Sequence, residues 1–431
     1  MERVLIKLSF WVVLVLVQTS GFNSCLENER IGLLDVKSFV KAVSDFQTEK
    51  VLVSWVDDKM SNCCDWEGVQ CNTAPGRVIK LSLYQTRQFG SYNFPDRLPT
   101  LNLSLFHPFE ELKSLNLSYN YFKGWHENEA YDGFKCLKQL KILDLSDNWF
   151  NATLLSYLNN LNSLTTLKLR WNNMGECLKS AKQGLANLKN LKVLDLSGNE
   201  IYGSLSSLGL TNLTNLKVLN LRENQINNSL SSLGLKMLRN LEELDLSRNG
   251  MSGSLTLLGL ANLTNLKVLN LRWNQINSSL SSLGLKYLKN LEQLNMRYNG
   301  MSGSLTSLGL ANLINLKSLD LSENQINTSL ASLGLQNLKN LEELNMRYNE
   351  MSGSLTSLGL VNLTNLKRLD LSYNQIANAR GLKNLENLEE LYMVGNAMGG
   401  DSLTLGLANL TNLKILDLYD NQINNSLTSL D

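Results

Sequence analysis

LKVLNLRWNQINSSLSSLGLKYLKNLEQLNMRYN, residues Leu266–Asn299, holds two copies of a nine-residue string, LxxLxLxxN, spaced 25 residues apart, the second with Met296 in place of the third leucine. The string first appears at Leu112–Asn120. Its closing asparagines are Asn120, Asn148, Asn172, Asn199, Asn224, Asn249, Asn274, Asn299, Asn324, Asn349, Asn374, Asn396 and Asn421, and the seven intervals from Asn199 to Asn374 all equal 25. One such unit cannot bury its own leucines, whereas stacked units can. The expected fold is an α/β solenoid: a right-handed horseshoe or superhelix of about 14 turns over residues 77–431, with a concave parallel β-sheet as its inner face.

The roles inside one turn are readable. In Gln275–Asn299, Leu294 and Met296 are expected to point inward from a short strand, with Gln293, Asn295 and Arg297 outward. Ile276, Leu280, Leu283, Leu285, Leu288 and Leu291 fill the rest of the turn, each buried aliphatic contributing ~1.5–3 kcal/mol against chain entropy. Asn299 ends the strand, where its short amide is expected to satisfy backbone groups of a neighbouring turn. The turn between Asn374 and Asn396 is shorter and needs a tighter outer arc.

A 50-residue super-period overlies the repeat from about residue 211: residues 211–260 and 261–310 agree at 39 of 50 positions. It alternates Lys217, Glu242, Lys267, Glu292, Lys317, Glu342, Lys367, Glu389 and Lys414 at the strand start. Opposite charges on adjacent strands favour the in-register stack, although each wet pair contributes little. Five of the eleven differences fall at the eight positions expected on the inner face. Drift at positions that packing does not decide gives this pattern, and so does diversification for a partner.

The 431 residues carry a net charge of +1, with basic and acidic residues interleaved, so no nucleic acid partner is expected. The two histidines, His107 and His126, lie outside the regular array, and acid–base or triad chemistry is poorly supplied. Asp195, Asp245, Asp320 and Asp370 recur with the repeat and read as exposed strand positions rather than catalytic dyads. Phosphate-binding, dinucleotide and zinc spacings are missing from the sequence, so neither catalysis nor a cofactor or metal is expected.

Residues 1–24 read as a secretory signal: Arg3 and Lys7 precede the apolar stretch Leu8–Val17, and Gln18–Gly21 follow it. A stretch of ten residues falls short of the ~20 a spanning helix needs, and no transmembrane segment is expected elsewhere. Six cysteines fit an oxidising compartment. Four (Cys25, Cys63, Cys64, Cys71) lie in residues 25–76, an N-terminal module with a predicted helix over Glu29–Val43, whose apolar face draws on Ile31, Leu34, Val36, Phe39 and Val43. Such a module covers the open end of the first turn. The pairing of Cys136 and Cys177 is left open by their separation. Arg77–Thr86 reads as the first turn, with Leu81 and Leu83 inward, and Arg87–Thr100 as a loop. Glycosylation acceptors are dense, at Asn102, Asn116, Asn151, Asn212, Asn227, Asn262, Asn277, Asn327, Asn362, Asn409 and Asn424.

The candidate ligand-binding residues are arginines and aromatics expected side by side on the concave face: Arg170, Trp171, Arg222, Arg272, Trp273, Arg297, Tyr298, Arg347, Tyr348 and Tyr373. These types combine large contact area with directed hydrogen bonds and are enriched at binding hot spots.

The string Cys63-Cys64-Asp65-Trp66-Glu67-Gly68-Val69-Gln70-Cys71, behind Cys25 and Trp55, resembles the N-terminal cap of plant extracellular leucine-rich repeat proteins. The turns that follow are similar to those of plant leucine-rich repeat receptor-like proteins. The resemblance implies disulfides Cys25–Cys63 and Cys64–Cys71, and a glycosylated ectodomain at the plasma membrane. It further implies a peptide, glycan or protein ligand on the solenoid and a co-receptor kinase partner in defence or development. The chain departs from the family in two ways. Gly253-Ser254-Leu255-Thr256 stands where the family usually has Gly-x-Ile-Pro. The sequence also stops at Asp431 inside a turn, without the family's C-terminal cysteine cap or membrane helix, which reads either as a truncated form, expected in the apoplast, or as part of a longer chain, expected at the plasma membrane. The alternatives are a secreted inhibitor similar to polygalacturonase-inhibiting proteins, which share this cap, and a truncated paralogue without function.

Overall fold

The computed structural model describes residues 25–45, 48–58, 60–74, 76–88, 98–126, 134, 136–175, 184–202, 208–226, 235–252, 260–277, 285–302, 309–327, 335–355, 360–399, 407 and 410–423. The expected signal at 1–24, Cys177, and the acceptors Asn227, Asn409 and Asn424 lie outside them. The chain divides into two compact units that meet at Leu194 and Asp195.

The first unit opens with helix α1, Glu27–Ala42. Its buried stripe is Glu29, Leu33, Val36 and Val40, while Ile31 is 48% exposed. The expected stripe was set on apolar residues, yet the helix turns a carboxylate inward. Fully buried Glu29 accepts from Arg77 Nε at 2.8 Å and from the Val78 backbone N–H at 2.9 Å, tying α1 to the first strand of the coil. The spacing 29, 33, 36, 40 is one helical face, so taking Glu29 in moves Ile31 out. Gly32 allows close approach, since a Cβ there would sit 2.8 Å from Pro108 Cγ.

Cys25–Cys63 and Cys64–Cys71 are both disulfides, as the resemblance implied. Trp55 and Trp66 stack beside them at 5.8 Å between ring centroids. Both indole N–H groups are satisfied, Trp55 by the Glu67 carbonyl and Trp66 by Ser61 Oγ, each at 2.8 Å. Val69–Cys71 pairs antiparallel with Val78–Ser82, and parallel strands Ser114–Asn116, Ile142–Asp144 and Thr166–Lys168 follow in order. Leu81 and Leu83 are buried as expected. Arg87, the first residue of the expected loop, is buried instead. Its Nε donates to the Val43 carbonyl at the end of α1 (2.7 Å) and its Nη1 to the Asn120 carbonyl. A guanidinium at a helix C-terminus satisfies orphan carbonyls and meets the negative end of the dipole.

In the second unit, three-residue strands run parallel and in chain order from Val218–Asn220 to Ile415–Asp417. Their register repeats the sequence period, with Leu244 opposite Leu269 and Leu269 opposite Leu294. Short 3-10 turns such as Leu260–Asn262 and Leu285–Tyr287 form the return arcs. The short turn after Asn374 uses strand Gln375–Asn378 and the 3-10 helix Arg380–Asn384. Leu294, Met296, Ile276, Leu285, Leu288 and Leu291 are buried, whereas Leu280 and Leu283 lie outside the described residues.

The closing asparagine performs its expected task. Asn299 Nδ2 donates to the carbonyls of Leu271 (3.1 Å), Met296 (3.0 Å) and Arg297 (3.3 Å), and its Oδ1 accepts from the Ile276 N–H (3.1 Å). A second asparagine ladder went unread in the sequence. Asn265, Asn290, Asn315 and Asn340, each just ahead of the string, donate to carbonyls one coil back, such as Asn290 to Thr264 at 2.8 Å. The Lys/Glu column pairs as its alternation implied: Glu242 bridges Lys217 and Lys267, and Lys317, Lys367 and Lys414 meet Glu292, Glu342 and Glu389.

Candidate binding rim

Most strands of the coil are ended by their own side chain. The last residue is an Asn or Asp whose Oδ1 accepts the N–H two residues on, the strands ending at Ser82, Lys168 and Tyr392 being exceptions. Asn270 takes that of Arg272 (3.1 Å), Asn295 that of Arg297 (3.0 Å), Asn345 that of Arg347 (3.0 Å) and Asp320 that of Ser322 (3.0 Å). In the second unit each such Asn is followed two residues on by Arg, and each Asp by Ser except Asp417, which takes the N–H of Tyr419 (3.1 Å). The serine hydroxyl also reaches the carboxylate at 2.6 Å in both Ser247–Asp245 and Ser322–Asp320. The recurring aspartates are therefore strand caps and not the exposed positions expected: Asp195, Asp245 and Asp320 are half-buried and Asp370 is buried.

The third residue past the strand end is left-handed, with or without such a cap. Trp171, Trp273, Tyr298, Tyr348 and Tyr373 have φ of +49° to +56°, and Gly198 and Gly395 hold the same place in other coils. Side chains other than glycine bear a cost of about 1–2 kcal/mol there. The candidate aromatics consequently stand past the strand ends, on a rim of the sheet, rather than on its open face. Arg170 and Trp171 belong to the first unit and the other eight candidates to the second.

On the rim of the second unit the rings pair. Trp273 and Tyr298 stack at 3.8 Å and 12°, and Tyr348 and Tyr373 at 4.3 Å and 8°. Guanidinium groups cover them further: Arg248 lies 5.2 Å from the Trp273 centroid, Arg297 5.3 Å from Tyr298, and Arg347 4.8 Å from Tyr348 and 4.6 Å from Tyr373. Each such contact is worth ~0.5–1 kcal/mol at exposed sites. Arg248 was not among the sequence candidates, because it occupies the aromatic position of its own coil.

The rim cations differ in their pairing. Arg222 and Arg248 share Glu223, each at 3.7 Å, and Arg297 meets Glu323 at 3.4 Å. Among the described residues, Arg272 and Arg347 form no ion pair. Burial, then Arg297, lowers the pKa of Arg272; Arg248 and Arg222 add to this and Asp320 offsets it. The Nε atoms of Arg272 and Arg297 are buried without a hydrogen-bond partner. The described residues contain no group of three or more His, Cys, Asp or Glu fit to hold a metal, and no helix long and apolar enough to cross a membrane.

Comparison with known proteins agrees with this architecture. The family described as leucine rich repeat N-terminal domain matches residues 26–72. Leucine rich repeat families match 190–213 and 315–338, 238–254 and 262–279, and 364–403. Receptor like protein 21 of Arabidopsis thaliana is 43% identical over 203 residues, 46% of this chain and 20% of that protein. Receptor-like protein 14 of the same plant is 41% identical over 224 residues, 46% of this chain and 22% of that protein. The chain thus spans about a fifth of the length of these relatives. An internalin (InlF) of Listeria monocytogenes, 27% identical, has a similar fold with a TM-score of 0.62, covering 75% of this chain and 86% of that one.

Proposed function

We propose that this chain, with leucine-rich repeats behind an N-terminal cap and similar to plant receptor-like proteins, is a non-catalytic recognition ectodomain. It enters the secretory pathway and binds a peptide, glycan or protein at the cell surface or in the apoplast, in defence or development, with a co-receptor kinase as signalling partner. The observation that carries the reading is the rim of the second unit, where stacked aromatic pairs carry arginines over their rings. Rigid amphipathic side chains lose little entropy on binding and are typical anchors of an interface.

The test is selection of peptides from a random display library on the full chain, followed by titration against a variant with Arg272, Trp273, Arg297 and Tyr298 all changed to alanine. The selected peptides are expected to bind the variant at least tenfold more weakly, with circular dichroism unchanged. Equal binding to a folded variant removes the rim from the mechanism. The exposed acceptors Asn212, Asn262, Asn277, Asn327 and Asn362 support the secretory part of the reading.

A further inference from the structure

The rim narrows the ligand class within the reading just proposed, on which this inference rests. A sugar stacks on the flat face of an aromatic ring. Here one face of each ring is taken within the rim: Trp273 and Tyr298 stack on each other, as do Tyr348 and Tyr373, and Arg248 lies 5.2 Å from the Trp273 centroid. The rim also presents ring edges, which are electropositive, and guanidinium N–H groups. Both favour an anion.

The cations in question are Arg272 and Arg347, which have no acidic partner among the described residues, while the three rim arginines 222, 248 and 297 have one. Arg272 and Arg347 occupy the same place in coils three apart, and the register of the intervening strands is continuous. At ~4.8 Å per strand their separation along the rim is ~14 Å. An extended peptide advances ~3.3 Å per residue and shows every second side chain on one side, so residues i and i+4 lie ~13 Å apart and point the same way. Between the two arginines lies the Arg297–Glu323 pair, locally neutral, which asks nothing charged of residue i+2.

We propose that the rim of the second unit binds an extended peptide segment carrying acidic side chains at i and i+4, one on Arg272 and one on Arg347. Carboxylates pair with guanidinium by two parallel hydrogen bonds. A carboxylate would also relieve the crowding of Arg272 by its arginine neighbours.

The experiment titrates the full chain, followed by tryptophan fluorescence, with an acetylated and amidated nonapeptide of Gly and Ser bearing Glu at its third and seventh positions. The controls are the isomer with Glu at its third and fourth positions, and cellohexaose. Tighter binding of the first peptide, by at least fivefold, is expected, weakening with salt and at least fivefold weaker in Arg272→Gln and in Arg347→Gln. Equal affinity for the two isomers, no loss in either variant, absence of binding at millimolar peptide, or rim-dependent binding of cellohexaose overturns the assignment. The separate library selection keeps the two claims apart: rim-dependent peptides without this acidic spacing sink only the ligand class, whereas peptides indifferent to the rim sink the proposed function.

Discussion

At the scale of single residues, three short polar side chains recur through most of the coils. The closing asparagine feeds backbone groups of its own and the neighbouring coil, the asparagine ahead of the string ties the return arc, and the Asn or Asp at the strand end caps the strand. The first was legible because its spacing never varies in the regular array. The cap was partly legible, because Asp195, Asp245, Asp320 and Asp370 recur, yet its partner is a backbone N–H that sequence does not display. Buried polar groups deprived of partners cost ~1–3 kcal/mol. Asn299→Ala is therefore expected to lose about that much on chemical denaturation, and hydrogen exchange at the Ile276 N–H should accelerate. An unchanged denaturation midpoint counts against the asparagine ladder as a source of stability.

At the scale of elements, the cap and the Lys/Glu column show opposite uses of charge. Glu29 and Arg77 are joined where water is excluded, with a backbone N–H as the third member. This arrangement specifies how α1 docks, and loss of one partner would strand the other. The Lys/Glu column lies in water. Glu242, hydrogen-bonded to Lys217 and Lys267, has its pKa lowered from 4.5 to about 2. Glu292, Glu342 and Glu389 are shifted the same way, each by a lysine of the next coil. A carboxylate with a depressed folded-state pKa contributes stability that is present above its unfolded value and lost as pH falls through the folded one. The contribution of Glu242 is therefore expected to disappear between pH 4.5 and about 2, those of the other three below the ordinary carboxylate range, and all to shrink with salt. Thermal melts of the Glu242→Gln variant should show a shallower dependence on pH across that window than the parent. A parallel dependence removes Glu242 from the acid response.

At the scale of the whole molecule, every coil of the second unit meets its sequence neighbours, so stability is close to a sum of nearest-neighbour terms. The surface reads the same way: what the core repeats, the rim varies. Exposed acceptors recur where the repeat recurs, at Asn212, Asn262 and Asn362 and at Asn277 and Asn327. Expressed in plant cells, the chain is expected to run faster on a denaturing gel after peptide-N-glycosidase treatment. No shift would contradict passage through the secretory pathway. Asn102, Asn116 and Asn151 are half-buried, with their Oδ1 atoms engaged by the Ser or Thr two residues on.

The sequence by itself determined the coil, its register, the buried leucines and the charge column, because a constant period forces identical side chains onto neighbouring strands. The resemblance of CCDWEGVQC to a known cap supplied the disulfides. Only the tertiary structure decided which face α1 buries, since Glu29 looks like a surface residue until Arg77 and Val78 meet it from 48 and 49 residues away. It also decided the form of the candidate site. The arginines and aromatics were visible in the string, but their place past the strand ends goes with a left-handed turn that the string does not display. Which cations remain without an acid depends on Glu223 and Glu323, which folding brings to Arg248 and Arg297 of neighbouring coils.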